Sequence, residues 1–241
     1  FDADKITGNK IIVNTLSEGT PFTTLDEEVR KLTADDLMIC NAREPMCIGG
    51  VMGGIESGVS ETTRNIFLES AWFDPVYIRR TSKNHGLQTD ASYRFERGAD
   101  PDTVIYALKR AALLIKEIAG GRISSEIVDE YPEPLQPAKV LLKFADLERL
   151  IGSDIPRKKV KKILKLLDFT IEQESEKALS LSVPLYRNDV TREADVIEEI
   201  LRIYGYNNVE FSHTVQSALS HRPKPDKDKM QNILSEFLTA K

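Results

Sequence analysis

Residues 131–137, Tyr-Pro-Glu-Pro-Leu-Gln-Pro, place three prolines in seven positions. Each proline removes a backbone donor, fixes φ, and turns the residue before it away from helix. Neither a helix nor a central strand can cross such a stretch. It reads as an extended, semi-rigid linker between two bodies that fold around separate cores. The 241 residues suffice for both. The expected division is a first module over residues 1–130, the linker at 131–137, a second module over 138–211, and a tail at 212–241. That tail reads as a second polar linker and the start of a further domain.

Composition narrows the possible functions. The chain has 33 basic and 38 acidic residues, a net charge of −5. Net charge alone therefore does not hold it to nucleic acid or an anionic membrane, although a local basic patch still could. Hydrophobic residues at 41% and charged residues at 29% are ordinary for a globular chain and unlike disorder. Cys40 and Cys47 form no CxxC pair and there are three histidines, which excludes a disulfide framework and opposes a Cys/His zinc fold. No apolar run approaches the roughly 18 to 20 residues that span a bilayer, and no signal peptide opens the chain. A reducing cytoplasm is the expected compartment. The chain opens on Phe1, and Met230, Ile233, Leu234, Phe237 and Leu238 recur at helical spacing just before its last residue. Both ends read as those of an internal piece of a longer polypeptide.

Both modules read as α+β. In the first, residues 11–15 and 37–40 are short strands and 65–73 (NIFLESAWF) a buried strand, with turns at 17–21 and 26–28. Asp74 before Pro75 opens a short helix over 75–84, and Asp100-Pro101 repeats the device. The second of these helices would bury Val104, Leu108, Ala111, Ala112, Ile115 and Ile118 and end at Gly120-Gly121. After the linker come a strand at 140–144, helices at 146–151 and 156–167, strands at 170–174 and 178–183, and a helix over 191–204 that stops at Gly205. The overall class is α+β, a mixed-sheet first module followed by a small winged-helix-like domain.

Several stretches could carry chemistry. Four glycines in GGVMGG, Gly49 to Gly54, make either a tight packed bend or a backbone-lined pocket wall. Neither a P-loop nor GxGxxG is present. Glu69 sits inside the apolar run 66–73, where alternation sends it either to solvent or into a buried site that needs a donor. The span HGLQTDASYRFERGADP, residues 85–101, is dense in hydrogen-bonding side chains and reads as a loop with structural or ligand-facing duties. His85 lacks a spaced partner and reads as a surface or capping histidine. Asp195, Glu198 and Glu199 share one helical face, with Asp189 just upstream. Such a group suits Mg²⁺, or simply a helix N-terminus with Glu198 paired to Arg202. Lysines over 157–165 either track phosphates or form a solvated face.

GGVMGG, LESAWF, HGLQTDASYRFERGADP and READVIEEILRIYGYNNVE occur in this order and separation, and together they resemble the β subunit of bacterial phenylalanyl-tRNA synthetase. The resemblance runs nearly end to end. It implies that the first module is an editing module, which hydrolyses tyrosine wrongly esterified to phenylalanine tRNA. Glu69 then matches the carboxylate that reads the tyrosine hydroxyl, Gly53 and Gly54 the glycine wall, and Thr89 and Ala91 the facing loop. No residue of the chain is expected to act as a catalytic nucleophile or base. The family's editing histidine belongs to a His-Ala-Phe-Asp phrase of which this chain holds only Phe-Asp, so impaired editing is the expectation for this piece. Asp189, Asp195, Glu198 and Glu199 match an Mg²⁺ site shared with the α subunit. Tyr186 and Asn188 depart from the aromatic residues of the family's Trp-Arg-Phe-Asp phrase. The implied partners are the α subunit, in an assembly of two α and two β subunits, and phenylalanine tRNA. ATP is used by the full enzyme and not bound here. A non-catalytic nucleic-acid-binding or assembly scaffold is the alternative.

Overall fold

A computed structural model describes residues 1–209 and 226–240. The first module begins with six short strands: β1 (Ile12–Thr15), β2 (Pro21–Thr23), β3 (Val29–Lys31), β4 (Leu37–Cys40), β5 (Pro45–Ile48) and β6 (Met52–Gly53). Four form a sheet of order β1-β4-β5-β6, and β2 pairs with β3 apart from it. All pairings are antiparallel, so the sheet is not mixed as expected, although the α+β class stands. Central β4 is the apolar Leu-Met-Ile-Cys run, with Met38, Ile39 and Cys40 buried. Met46, Ile48, Phe22, Leu32, Val51, Phe73, Ile78 and Leu87 close the core around it. Fully burying each such side chain contributes about 1.5–3 kcal/mol. Strand β2 lies between the two turns read from the sequence and β3 follows the second of them, but three residues are too few to show alternation.

Three helices follow. In α1 (Pro75–His85), Asp74 accepts from the backbone of Val76 and Tyr77, and Gly86 ends the helix in the left-handed region. Residues 87–89 lead into α2 (Asp90–Phe95), and α3 (Val104–Ala119) starts from a 3-10 turn capped by Asp100 and ends at Gly120. The sequence pattern anticipated α1 and α3. It misjudged what α3 packs against: no residue of α3 is buried, and Ile118 is 82% exposed. An amphipathic stripe shows that a helix has an apolar side, and says nothing of whether a neighbour covers it.

The expected strand at 65–73 does not form. Ile66 makes one isolated bridge with Asp2, flanked by backbone hydrogen bonds of Asn65 to Ala3 and of Phe67 to Phe1, and from Leu68 to Phe73 the backbone has no regular partner. Ile66 and Phe67 are exposed. An apolar run marks residues able to be buried, but this one spends its anchors on side-chain contacts rather than a strand ladder.

The second module folds as β7 (Lys139–Lys143), α4 (Phe144–Ile151), α5 (Arg157–Leu166), β8 (Thr170–Glu174), β9 (Ala178–Ser182) and α6 (Glu193–Tyr204), with an antiparallel sheet of order β7-β9-β8. Val140 and Leu142 point inward from β7, Leu179 and Leu181 from β9, Val160, Ile163 and Leu164 from α5, and Val196, Ile197 and Ile200 from α6. Here the sequence pattern and the structure agree to within about two residues at each end, the ordinary uncertainty of an element boundary. Residues 121–136, between the modules, are exposed and carry no helix or strand. Residues 210–225, most of the second polar linker, lie outside the described residues. Beyond them α7 (Lys227–Thr239) is capped by Asp226 and exposes Met230, Ile233, Leu234 and Leu238.

Candidate functional site

The glycine turn joins β5 to β6. Its glycines answer mainly to packing. A Cβ on Gly49 would stand 3.0 Å from the Phe73 ring, and one on Gly50, at φ +68, would meet Phe73 and Ile78 at 2.8 Å. Gly54 is buried; a Cβ there would press within 2.7 Å of the Phe22 ring and 2.9 Å of Met46 O. Gly53 differs, because it is half-buried and faces only the flexible Leu25 side chain. Of the two glycines expected in a wall, Gly53 is half-buried with its carbonyl taken by Leu25 N at 3.0 Å, and Gly54 is fixed by the ring above it.

Glu69 comes to the same end of the sheet. Phe73, four residues on, seats its ring on Gly49 and Gly50 and meets Phe95 edge-on at 4.9 Å. Ser70 Oγ donates to Val104 O at 2.9 Å, and Trp72 Nε1 donates to Ala99 O at 3.0 Å. On the other side, Phe67 N donates to Phe1 O at 3.0 Å. These anchors stand in for the missing ladder. The carboxyl of Glu69 reaches solvent, yet enough protein surrounds it that desolvation pushes its pKa above the ordinary glutamate value. Desolvation, with the charge of Glu69 adding to it, pushes the neighbouring Cys47 thiol up to about 12. Cys47 pairs with Gly53 across β5 and β6, so Glu69, Cys47 and Gly53 share one neighbourhood. A thiol so raised stays neutral and is no nucleophile.

Thr89 closes the arrangement. Its Oγ1 donates to Val51 O inside the glycine turn at 2.7 Å and accepts from Ser92 N at 3.0 Å, while Ser92 Oγ accepts from Thr89 N. One hydroxyl thus caps α2 and ties it to the turn. Ala91 is exposed in the first turn of α2. A hollow of about 610 Å³ adjoins Thr89 along α1 and α2, with Arg79, Lys83, Gln88 and Tyr93 among its lining residues.

His85 is not the surface or capping residue expected. Its side chain is 6% exposed, and Nε2 lies 2.6 Å from Oδ2 of a fully buried Asp36. Asp36 also accepts from Thr81 Oγ1 at 2.9 Å and Thr33 N at 2.7 Å. Burial alone would raise its carboxyl, but the donors His85, Thr33 and Thr81 prevail and hold it below the usual aspartate value. The pair bolts the β3–β4 connection to α1.

In the second module, three of the four acids belong to arginines. Arg187 donates to Asp189 at 2.9 and 3.0 Å and to Glu199 at 2.7 Å, and Arg202 reaches Glu199 at 2.7 Å. The expected partner of Arg202 was Glu198; the observed one is Glu199, three positions away. Asp195 pairs with Arg192 at 2.8 Å and accepts the backbone N–H of Thr191 and Arg192 at the start of α6. Hydrogen bonds from Arg187 and then Arg202 lower Glu199 to about 2, and those from Arg192 and Thr191 lower Asp195 to about 2. Glu198 points elsewhere and is exposed. Among the described residues no group of three or more His, Cys, Asp or Glu side chains is placed to hold a metal ion. The donor set fits arginine and does not fit Mg²⁺ in this arrangement. Arg187 was not singled out from the sequence; its position two residues before Asp189 was the available signal.

Another hollow, of about 860 Å³, runs between α5 and β8, where Lys158, Lys161, Lys162 and Lys165 face Glu172 and Glu174. Lys161 is paired with Glu174 at 2.9 Å.

Residues 1–120 match the B3/4 domain family and residues 140–206 the tRNA synthetase B5 domain family. The phenylalanine–tRNA ligase β subunit of Bacteroides thetaiotaomicron is 54% identical over 99% of this chain, and that of Porphyromonas gingivalis 49% identical over 99%. The chain is a relative of phenylalanine–tRNA ligase β subunits. It carries their B3/4 and B5 domains in that order. It spans 29% of the length of these relatives. A crystal structure of an N-terminal fragment of the phenylalanyl-tRNA synthetase β subunit from Pyrococcus horikoshii aligns over 86% of this chain and 59% of its own. That alignment has 15% identity and a TM-score of 0.41. Among the described residues no helix is long and apolar enough to cross a membrane.

Proposed function

We propose that this chain is the proofreading and assembly stretch of a phenylalanine–tRNA ligase β subunit. Residues 1–130 would hold the editing module and residues 138–211 a winged-helix-like module, with residues 131–137 as the linker between them. The editing module hydrolyses tyrosine wrongly esterified to phenylalanine tRNA. Water adds to the ester carbonyl, the bond to the ribose oxygen breaks, one water proton ends on that ribose oxygen to give free tRNA, and the other is released as the tyrosine carboxyl ionises. Glu69 takes the phenolic O–H of tyrosine, beside Gly53 and opposite the Thr89–Ala91 side.

The observation that carries this reading is the partly desolvated carboxyl of Glu69 beside the Cys47–Gly53 pair, in a domain of B3/4 type. Phenylalanine offers such a carboxylate no donor, and a site built to hydrogen-bond a hydroxyl discriminates strongly against a ligand without one. No side chain of the neighbourhood is an activated nucleophile, so positioning of substrate and water accounts for the hydrolysis. Glu69→Gln in the complete ligase should lower tyrosyl-ester hydrolysis about ten- to hundredfold, the worth of a hydrogen bond to a charged group. Deacylation at the parent rate would overturn the reading.

The B5-type module would bind tRNA and face the α subunit, in an assembly of two α and two β subunits working in the cytoplasm. Activation of phenylalanine with ATP would belong to the α subunit. Mg²⁺ at Asp189, Asp195, Glu198 and Glu199 would need ligands from that other surface and release of the arginines; no step is assigned to it here.

A further inference from the structure

Among the described residues a single hydrogen bond joins the two modules. Asn188 Nδ2 donates to Arg97 O at 2.6 Å, across 91 positions of sequence. The contact has a shaped seat. Gly98 stands at φ +91, where an L side chain is strained, and a Cβ there would overlap the Asn188 amide. Asn188 is itself held, because Arg187 beside it is clamped by Asp189 and by Glu199 of α6. On the first module's side, Arg97 lies 3.6 Å over the Tyr93 ring and donates to Tyr93 O, which fixes the turn to α2.

The same turn holds the stretch that bears Glu69. Ala99 O is the acceptor for Trp72 Nε1, and Val104 O is the acceptor for Ser70 Oγ. Ser70 follows Glu69 directly, and that stretch has no strand ladder of its own. Its placement is set by side-chain anchors, two of them on residues 99–104. Those residues lie between the Glu69 stretch and Asn188.

We propose that Asn188, in the B5-type module, is a positioning residue for Glu69 in the B3/4 module: it locks the turn at residues 97–99, which fixes Trp72 and hence the carboxyl three residues before it. The proposal rests on the role given to Glu69 above. It makes the second module a working support of the pocket as well as a separate binding unit.

Asn188→Asp tests this, because it keeps the side chain's size and replaces its donor with an acceptor facing Arg97 O. In the complete ligase, kcat/KM for hydrolysis of tyrosyl-tRNA should fall about three- to tenfold, the worth of one hydrogen bond, with phenylalanine charging unchanged. Gly98→Ala, which fills the seat from the other side, should give the same loss. Trp72 is the only tryptophan of the 241-residue chain, so emission measured on this chain by itself reports on the anchor directly. Emission should shift to the red in Asn188→Asp. Unchanged emission overturns the proposal whatever the hydrolysis rate, and so does unchanged hydrolysis where Glu69→Gln is impaired. If Glu69→Gln hydrolyses at the parent rate, the proofreading reading fails on its own account and Trp72 emission alone decides whether Asn188 locks the turn.

Discussion

Three glycines show how one residue type serves different ends. Gly54 is small because the Phe22 ring lies on it, Gly98 because the Asn188 amide does, while Gly53, paired with Cys47, meets only the flexible Leu25 side chain. The sequence displays four glycines in six residues and cannot say which of them faces open space. Glu69 is a similar case: its apolar neighbours suggested a strand with the carboxylate on either a wet or a covered face, whereas it sits outside any strand at a surface shaped by Ser70, Trp72 and Phe73. Charge is easier to reason about once partners are known. Arg187 first and Arg202 second hold the Glu199 carboxyl at about 2 in the folded state. An unfolded glutamate titrates near about 4.3, so Glu199 stabilises the fold above that pH and loses its contribution as pH falls through about 2. Glu199→Gln should therefore flatten the decline of stability between those pH values, measured by urea unfolding at a series of acid pH values. A decline as steep as the parent's would show that the arginine pair does not govern it.

Among elements, α6 shows most plainly what spacing conceals. Acids at i, i+3 and i+4 share a face, yet Asp195 caps its own helix, Glu199 turns to two arginines and Glu198 faces out. Titration of this chain with Mg²⁺, followed by calorimetry, should show no saturable binding, because each cation would have to displace guanidinium groups already at 2.7 to 2.9 Å. Tight one-to-one binding would contradict that arrangement. Other elements were readable for a physical reason. The β7–α6 module alternates or repeats cleanly because each element buries one face and wets the other. Strands β2 and β3 were too short to show a period, and the 65–73 run was apolar without being paired. His85 was misjudged because its partner Asp36 lies 49 positions away, a distance no local pattern spans.

At the scale of the whole molecule, two cores share no buried residue: one gathers around Met38 and Ile48, the other around Leu142 and Leu181. Leu142 is fully buried, and Leu142→Ala should cost about 2–5 kcal/mol. If the cores unfold separately, calorimetry should show one transition lowered and the other unmoved. A single transition shifted as a unit would mean that the modules are cooperative. Between them runs the exposed stretch 121–136, whose few contacts are local, such as Leu135 N donating to Tyr131 Oη at 2.8 Å. Tethering by so short a covalent strap makes the meeting of the modules intramolecular, with an effective concentration in the millimolar range. The strap thus removes most of the entropic cost of seating an amide on a bare α-carbon, a touch that between free molecules would be negligible.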